Sequence, residues 1–170
     1  MGIVGGAPAH PSPPCPLSER PDVVCPDWSP LQMNRTDLQH LSRLREQEAQ
    51  VLLDNSCFAG AYYLLGYAVE CALKACIAKQ IRRYDFPDRR LVNDSHTHDL
   101  EKLLNVSGMK HAMQSETQTN PNLAVNWAIV KDWSEQSRYS NNISEIMARN
   151  FFSAVTEKDS GILLWLRKRW

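Results

Sequence analysis

An all-α antiparallel bundle of four to five helices, in a single domain behind a disordered proline-rich tail, is the fold this sequence predicts. Three observations predict it. From Asn34 onward apolar residues recur at helical spacing; only Pro87 and Pro121 interrupt them, both where the periodicity also lapses; and eight of the ten prolines crowd into residues 1–32. At 170 residues the chain can bury a core without disulfides or metal.

Residues 1–32 hold three of the seven glycines as well and have no stretch of either helical or strand periodicity, so they read as the disordered tail and residues 33–170 as the bundle. Met33 opens the periodic part so cleanly that it reads as an alternative translation start. The whole chain balances 19 basic against 19 acidic residues, and removing the tail's one basic and three acidic residues leaves 18 against 16. Such a balance argues against a general electrostatic grip on nucleic acid and leaves local basic patches to supply one. The first residues lack the charged start and apolar run of a secretory leader, which makes the expected compartment the cytoplasm and the expected state of the five cysteines free thiols.

The first helix is expected over about 36–53, with Leu38, Leu41, Leu44, Ala49, Leu52 and Leu53 as its apolar stripe, and Asn55 and Ser56 are expected to cap the next. The second, over about 56–81, carries only Glu70 and Lys74 as charges between Cys57 and Ala78. A helix apolar all round is either central in a bundle or membrane-spanning. Here the first charge comes 13 residues after Cys57, short of the roughly 20 a span needs, so central burial is the expectation and no membrane is. Gly60 and Gly66 weaken that helix and imply close approach of a neighbour.

A loop is expected from Arg83 to Thr97, then a short helix from about His98 through Leu100, Leu103, Leu104 and Val106 to Gly108, with Thr97 as its cap. After a polar stretch over 114–120, a fourth helix is expected over about 122–137 with Leu123, Val125, Trp127, Val130 and Trp133. The fifth starts near Ile143 and, after a pause at Asp159–Gly161, resumes as ILLWLRKRW.

AGAYYLLGYAVECALKACIAK, then THDLEKLL, then SRYSNN, then a helix ending in GILLWLRKRW, in this order and spacing, resembles the HEPN domain (higher eukaryotes and prokaryotes nucleotide-binding) over about residues 37–170. The resemblance implies a dimerising helical bundle, often paired with a minimal nucleotidyltransferase in toxin–antitoxin systems. Many members are metal-independent ribonucleases that use an Arg followed, four to six residues on, by a His near the start of a late helix. Here no His follows Arg138 or Arg149 at that spacing, and none occurs after His111. Because imidazole is the side chain suited to proton transfer at neutral pH, its absence turns the expectation toward binding.

The expected function is therefore that of a noncatalytic nucleotide- or RNA-binding subunit, homodimeric and partnered by a nucleotidyltransferase, with no cofactor and no metal. Its alternatives are a ribonuclease with an atypical centre on Arg138 and Tyr139, and a ligand-free dimeric interaction protein. Glu70, Lys74, His98, Arg138 and Tyr139 are the candidate ligand-binding residues. Glu70 and Lys74 lie four apart on one helical face, and Glu70 is expected to meet Arg138, either as a structural ion pair or as the lining of a polar pocket. Arg82, Arg83, Arg89 and Arg90 form the candidate phosphate patch, with Tyr84 and Phe86 as stacking partners; a solvated helix end accounts for the same charges. Arg167, Lys168 and Arg169 read as such an end, and Trp127, Trp133 and Trp165 as core or dimer-interface residues.

Overall fold

A computed structural model describes residues 33–81 and 88–170, which are all-α, with no strand among them. The expected tail at 1–32 and the residues Arg82, Arg83, Tyr84 and Phe86 lie outside the described residues.

Helix α1, Arg35–Asp54, starts in a capping box: Asn34 Oδ1 accepts from the N–H groups of Thr36 and Asp37 at 2.8 and 3.1 Å, and Asp37 Oδ2 accepts from Asn34 N–H at 3.0 Å. It ends on Asn55. Ser56 then takes the left-handed conformation (φ 59°), and Cys57 N–H reaches back to the Leu52 carbonyl at 2.8 Å, which reverses the chain within three residues. Asn55 and Ser56 thus break the first helix, as their residue types predict, but do not cap the second; Cys57 is its N-cap and makes no side-chain cap bond.

Helix α2, Phe58–Gln80, is the central element. Its length and composition suffice for a membrane span, but 67% of its most apolar stretch is buried within the bundle. Small residues set its distance from α1. Ala49, Ala61, Ala68 and Ala72 are buried between apolar neighbours, and Ser42 Oγ donates to the Ala68 carbonyl at 2.8 Å across the interface. A methyl group on Gly60 would sit 3.1 Å from Leu52 Cδ1, and one on Gly66 would sit 2.1 Å from Trp133 Nε1. Close approach occurs at both glycines, made by a leucine of α1 at one and by an indole at the other.

The stretch between α2 and the last helices contains more helix than its sequence advertises. Within the expected loop lies α3, Arg89–Ser95, capped by Asp88 on Arg90 N–H at 2.9 Å. Next is α4, Leu100–Val106, whose cap is Asp99, bonded to Lys102 N–H at 2.9 Å, and not Thr97; Gly108 stops it at φ 72°. The polar stretch is α5, Lys110–Thr119, a helix that buries only Met113 but is tied down through Glu116, which accepts from Trp165 Nε1 at 2.8 Å and pairs with Arg169. Asn120 ends α5 and caps α6, Pro121–Val130, at the same residue, with the proline in the first turn where its missing N–H is harmless. The fourth expected helix is therefore seven residues too long: after Val130 the chain turns, seats Trp133 on Gly66, and makes a short 3-10 helix, Glu135–Tyr139.

Helix α7, Glu145–Thr156, caps on Ser144. After a turn held by Asn126 and Glu157 on Ser160 comes α8, Ile162–Arg167. Eight α-helices among the described residues replace the expected four or five: α3 and α5 form in stretches expected as a loop and a polar connection, and the fifth expected helix divides into α7 and α8. Helices α1, α4, α7 and α8 pack around α2, with Leu65, Leu73, Leu100, Leu103, Phe151 and Ile162 fully buried between them.

Candidate functional site

Glu70 is the one charged side chain fully inside the described core, 1% exposed. A carboxylate there is strongly unfavourable unless every oxygen is met. Lys74 Nζ, one turn along α2, lies 2.8 Å from Oε1, and His98 Nδ1, arriving on the segment before α4, lies 3.0 Å from both oxygens. The expected partnership with Arg138 does not form. Arg138 is exposed in the 3-10 helix, its guanidinium stacked on the neighbouring Tyr139 ring at 4.8 Å. The physical reason is the turn after Val130, which buries Trp133 against α2 and leaves Arg138 on the outside.

An ionised carboxylate accepts but does not donate, so beside it His98 Nδ1 is the donor, and Nε2 makes no hydrogen bond among the described residues. The ring is half exposed and lines an open cleft of about 420 Å³ together with Thr97, Asp99, Glu101, Lys131, Asp132, Trp133, Ser134 and Glu135. Four carboxylates against one lysine make it an acidic cleft. Hydrogen bonds from Gln136, then its own backbone N–H and Ser134, hold the Glu135 carboxyl below its usual range. No group of three His, Cys, Asp or Glu with metal-binding geometry occurs among the described residues.

The remaining candidates lie apart from Glu70. Arg89 and Arg90 are exposed in the first turn of α3. A second polar region assembles instead from three distant segments. Trp170 lies under two guanidinium groups, Arg43 of α1 at 5.1 Å and Arg167 of α8 at 5.8 Å; Lys79, at the end of α2, donates to the Arg169 carbonyl at 2.8 Å; and Arg169 stacks on Trp165 at 3.8 Å. Lys79, Arg35 and Arg169 also surround the buried Cys76, whose thiol is pushed up to about 11 by burial against their pull downward. Arg167 and Arg169 are paired with Glu46 and Glu116, while Arg35, Arg43, Lys79 and Lys168 make no ion pair among the described residues. By sequence the C-terminal cations read as a solvated helix end. A signal was there in the interleaving of Trp165 and Trp170 with them, but Arg43 and Lys79 join only through the fold.

Tyr62 packs on Phe151 at 4.4 Å, and Tyr63 stacks between Tyr67 and Trp133 at 6.5 and 6.2 Å. Comparison with known proteins found no family model, curated protein or solved structure that matches the chain.

Proposed function

We propose that this protein is a HEPN-like binding subunit that holds RNA or a nucleotide at its basic end, as a homodimer acting beside a nucleotidyltransferase. The observation that carries the reading is Trp170 under the guanidinium groups of Arg43 and Arg167, with Lys79 and Arg35 at the same end. An indole offers a face on which a base can stack, and Arg43, Arg35 and Lys79, which make no ion pair among the described residues, can neutralise phosphates. The acidic cleft at His98 is unsuited to phosphate, so the phosphate-binding role moves from the candidates around Glu70 to this end. Self-association is supported by Val125 and Ile129 of α6 and Ile146 and Met147 of α7, large apolar side chains exposed on two adjoining helices. The partner and the absence of catalysis at the family's late-helix position rest on the resemblance.

Fluorescence anisotropy with a labelled single-stranded RNA tests the binding role, with ATP calorimetry alongside to distinguish RNA from free nucleotide. Binding is expected to weaken with salt at a log–log slope of about −2, corresponding to roughly three neutralised phosphates, and Arg43→Glu and Trp170→Ala are each expected to weaken it about tenfold. Equal affinity in wild type and both variants would remove the basic end as the site, and cleavage of the RNA would overturn the noncatalytic reading. Light scattering of Met147→Glu against wild type tests the dimer.

A further inference from the structure

A buried carboxylate in the middle of an apolar helix contributes little to stability compared with an apolar side chain of the same size, so its presence asks for another reason. Glu70 has one in its geometry. Both its oxygens lie 3.0 Å from His98 Nδ1, Lys74 balances its charge, and the imidazole so fixed by one nitrogen lines a cleft large enough for a small molecule. An imidazole oriented from behind by a carboxylate and open in front is the working unit of general acid–base catalysis. The cleft walls limit what can enter. Asp99, Glu101, Asp132 and Glu135 outnumber Lys131, which repels phosphates and favours a compound that carries positive charge around an uncharged reacting centre.

We propose that His98 is the general acid–base residue of a hydrolytic site for positively charged acyl compounds, with Glu70 as its positioning residue. This site is separate from the basic end and does not depend on it. As His98 Nε2 takes a proton from a water molecule, the water oxygen bonds to the acyl carbon and the carbonyl electron pair moves onto oxygen. When that pair returns, the bond to the leaving group breaks, and the leaving group takes the proton back from Nε2. No cofactor enters the balance.

The test is hydrolysis of the p-nitrophenyl ester of N-acetyl-lysine by the full chain, with p-nitrophenyl succinate as the anionic control. Wild type is expected to act on the cationic ester about 100-fold faster than His98→Ala, with added imidazole restoring part of the loss, as replacing a removed general base should. Glu70→Gln is expected to lower kcat about tenfold at unchanged KM, and the anionic ester to react at least tenfold more slowly. Equal rates for wild type and His98→Ala, absence of imidazole rescue, or preference for the anionic ester each overturns the proposal. His98→Gln, whose amide keeps a donor beside Glu70 but offers no base, is assayed beside His98→Ala and should be equally inactive, so these arms decide the matter even where Glu70→Gln or His98→Ala does not fold.

Discussion

At the His98 cleft the organising charge is inside: Glu70 sits in the core, and the half-exposed ring it holds reaches solvent. At the Trp170 end the arrangement is reversed, with exposed Arg43 and half-buried Arg167 and Arg169 resting on aromatic faces and a buried thiol, Cys76, beneath the cations. Interior charge needs fixed geometry, since each unmet oxygen is penalised; surface charge tolerates movement and acts through number. One region is therefore suited to orienting a single group, the other to holding a polyanion.

Substitutions should separate the two regions sharply. The largest effect is expected beneath the cleft, where Gly66→Ala drives a methyl group into the Trp133 indole at 2.1–2.4 Å and should destabilise by roughly 3 kcal/mol in a denaturant titration. Gly60→Ala is its control: the Leu52 methyl at 3.1 Å can move, and the gain in helix propensity of about 1 kcal/mol should leave stability near or above wild type. Lys74→Met removes one of the two partners of Glu70 and should cost about 2–3 kcal/mol, with thermal unfolding as the readout. At the basic end, Arg43→Glu should stay within about 0.5 kcal/mol of wild type even as RNA affinity falls.

The two buried thiols report on the same contrast from inside. Cys71 is pushed up to about 12 by burial and then by the Glu70 charge, whereas Cys76, with no such acid beside it, is pushed up by burial to about 11. An unfolded thiol ionises near 9.0, so the folded protein holds its thiol protons more tightly, and their contribution to stability, complete below pH 9, should decline as pH rises toward these values. Melting curves from pH 8 to 11 check the sign. At pH 8 a maleimide should label exposed Cys57 and spare Cys71 and Cys76, a difference read by mass spectrometry.

The sequence makes the interior legible and leaves the surface obscure. Between Cys57 and Ala78, near-uniform apolarity announces the central helix, and Glu70 stands out within it because a lone acid there must have partners. Its true partner, His98, carries no periodic signal that links it to a residue 28 positions away. Arg138 was the more natural choice by charge, and only the turn after Val130 rules it out. Helix α5 escaped notice for a related reason: its ten residues bury one side chain, and what holds it is Glu116 on Trp165 and Arg169, contacts made 49 and 53 residues further on. The basic end needs α1, α2 and α8 together before it exists at all.

The tight reversal at Ser56 also has a bearing on the order of events during folding. Helices α1 and α2 are long, adjacent in sequence and joined by three residues, so their mutual contacts close with little loss of chain entropy. This hairpin is positioned to form first and to act as the template for the rest. Glu70 then waits, uncompensated apart from Lys74, until the segment carrying His98 docks. Variants of Ser56 that disfavour a positive φ should slow refolding, while variants of His98 should chiefly hasten unfolding. On this order the cleft is the last part of the molecule to be finished and the first to come undone.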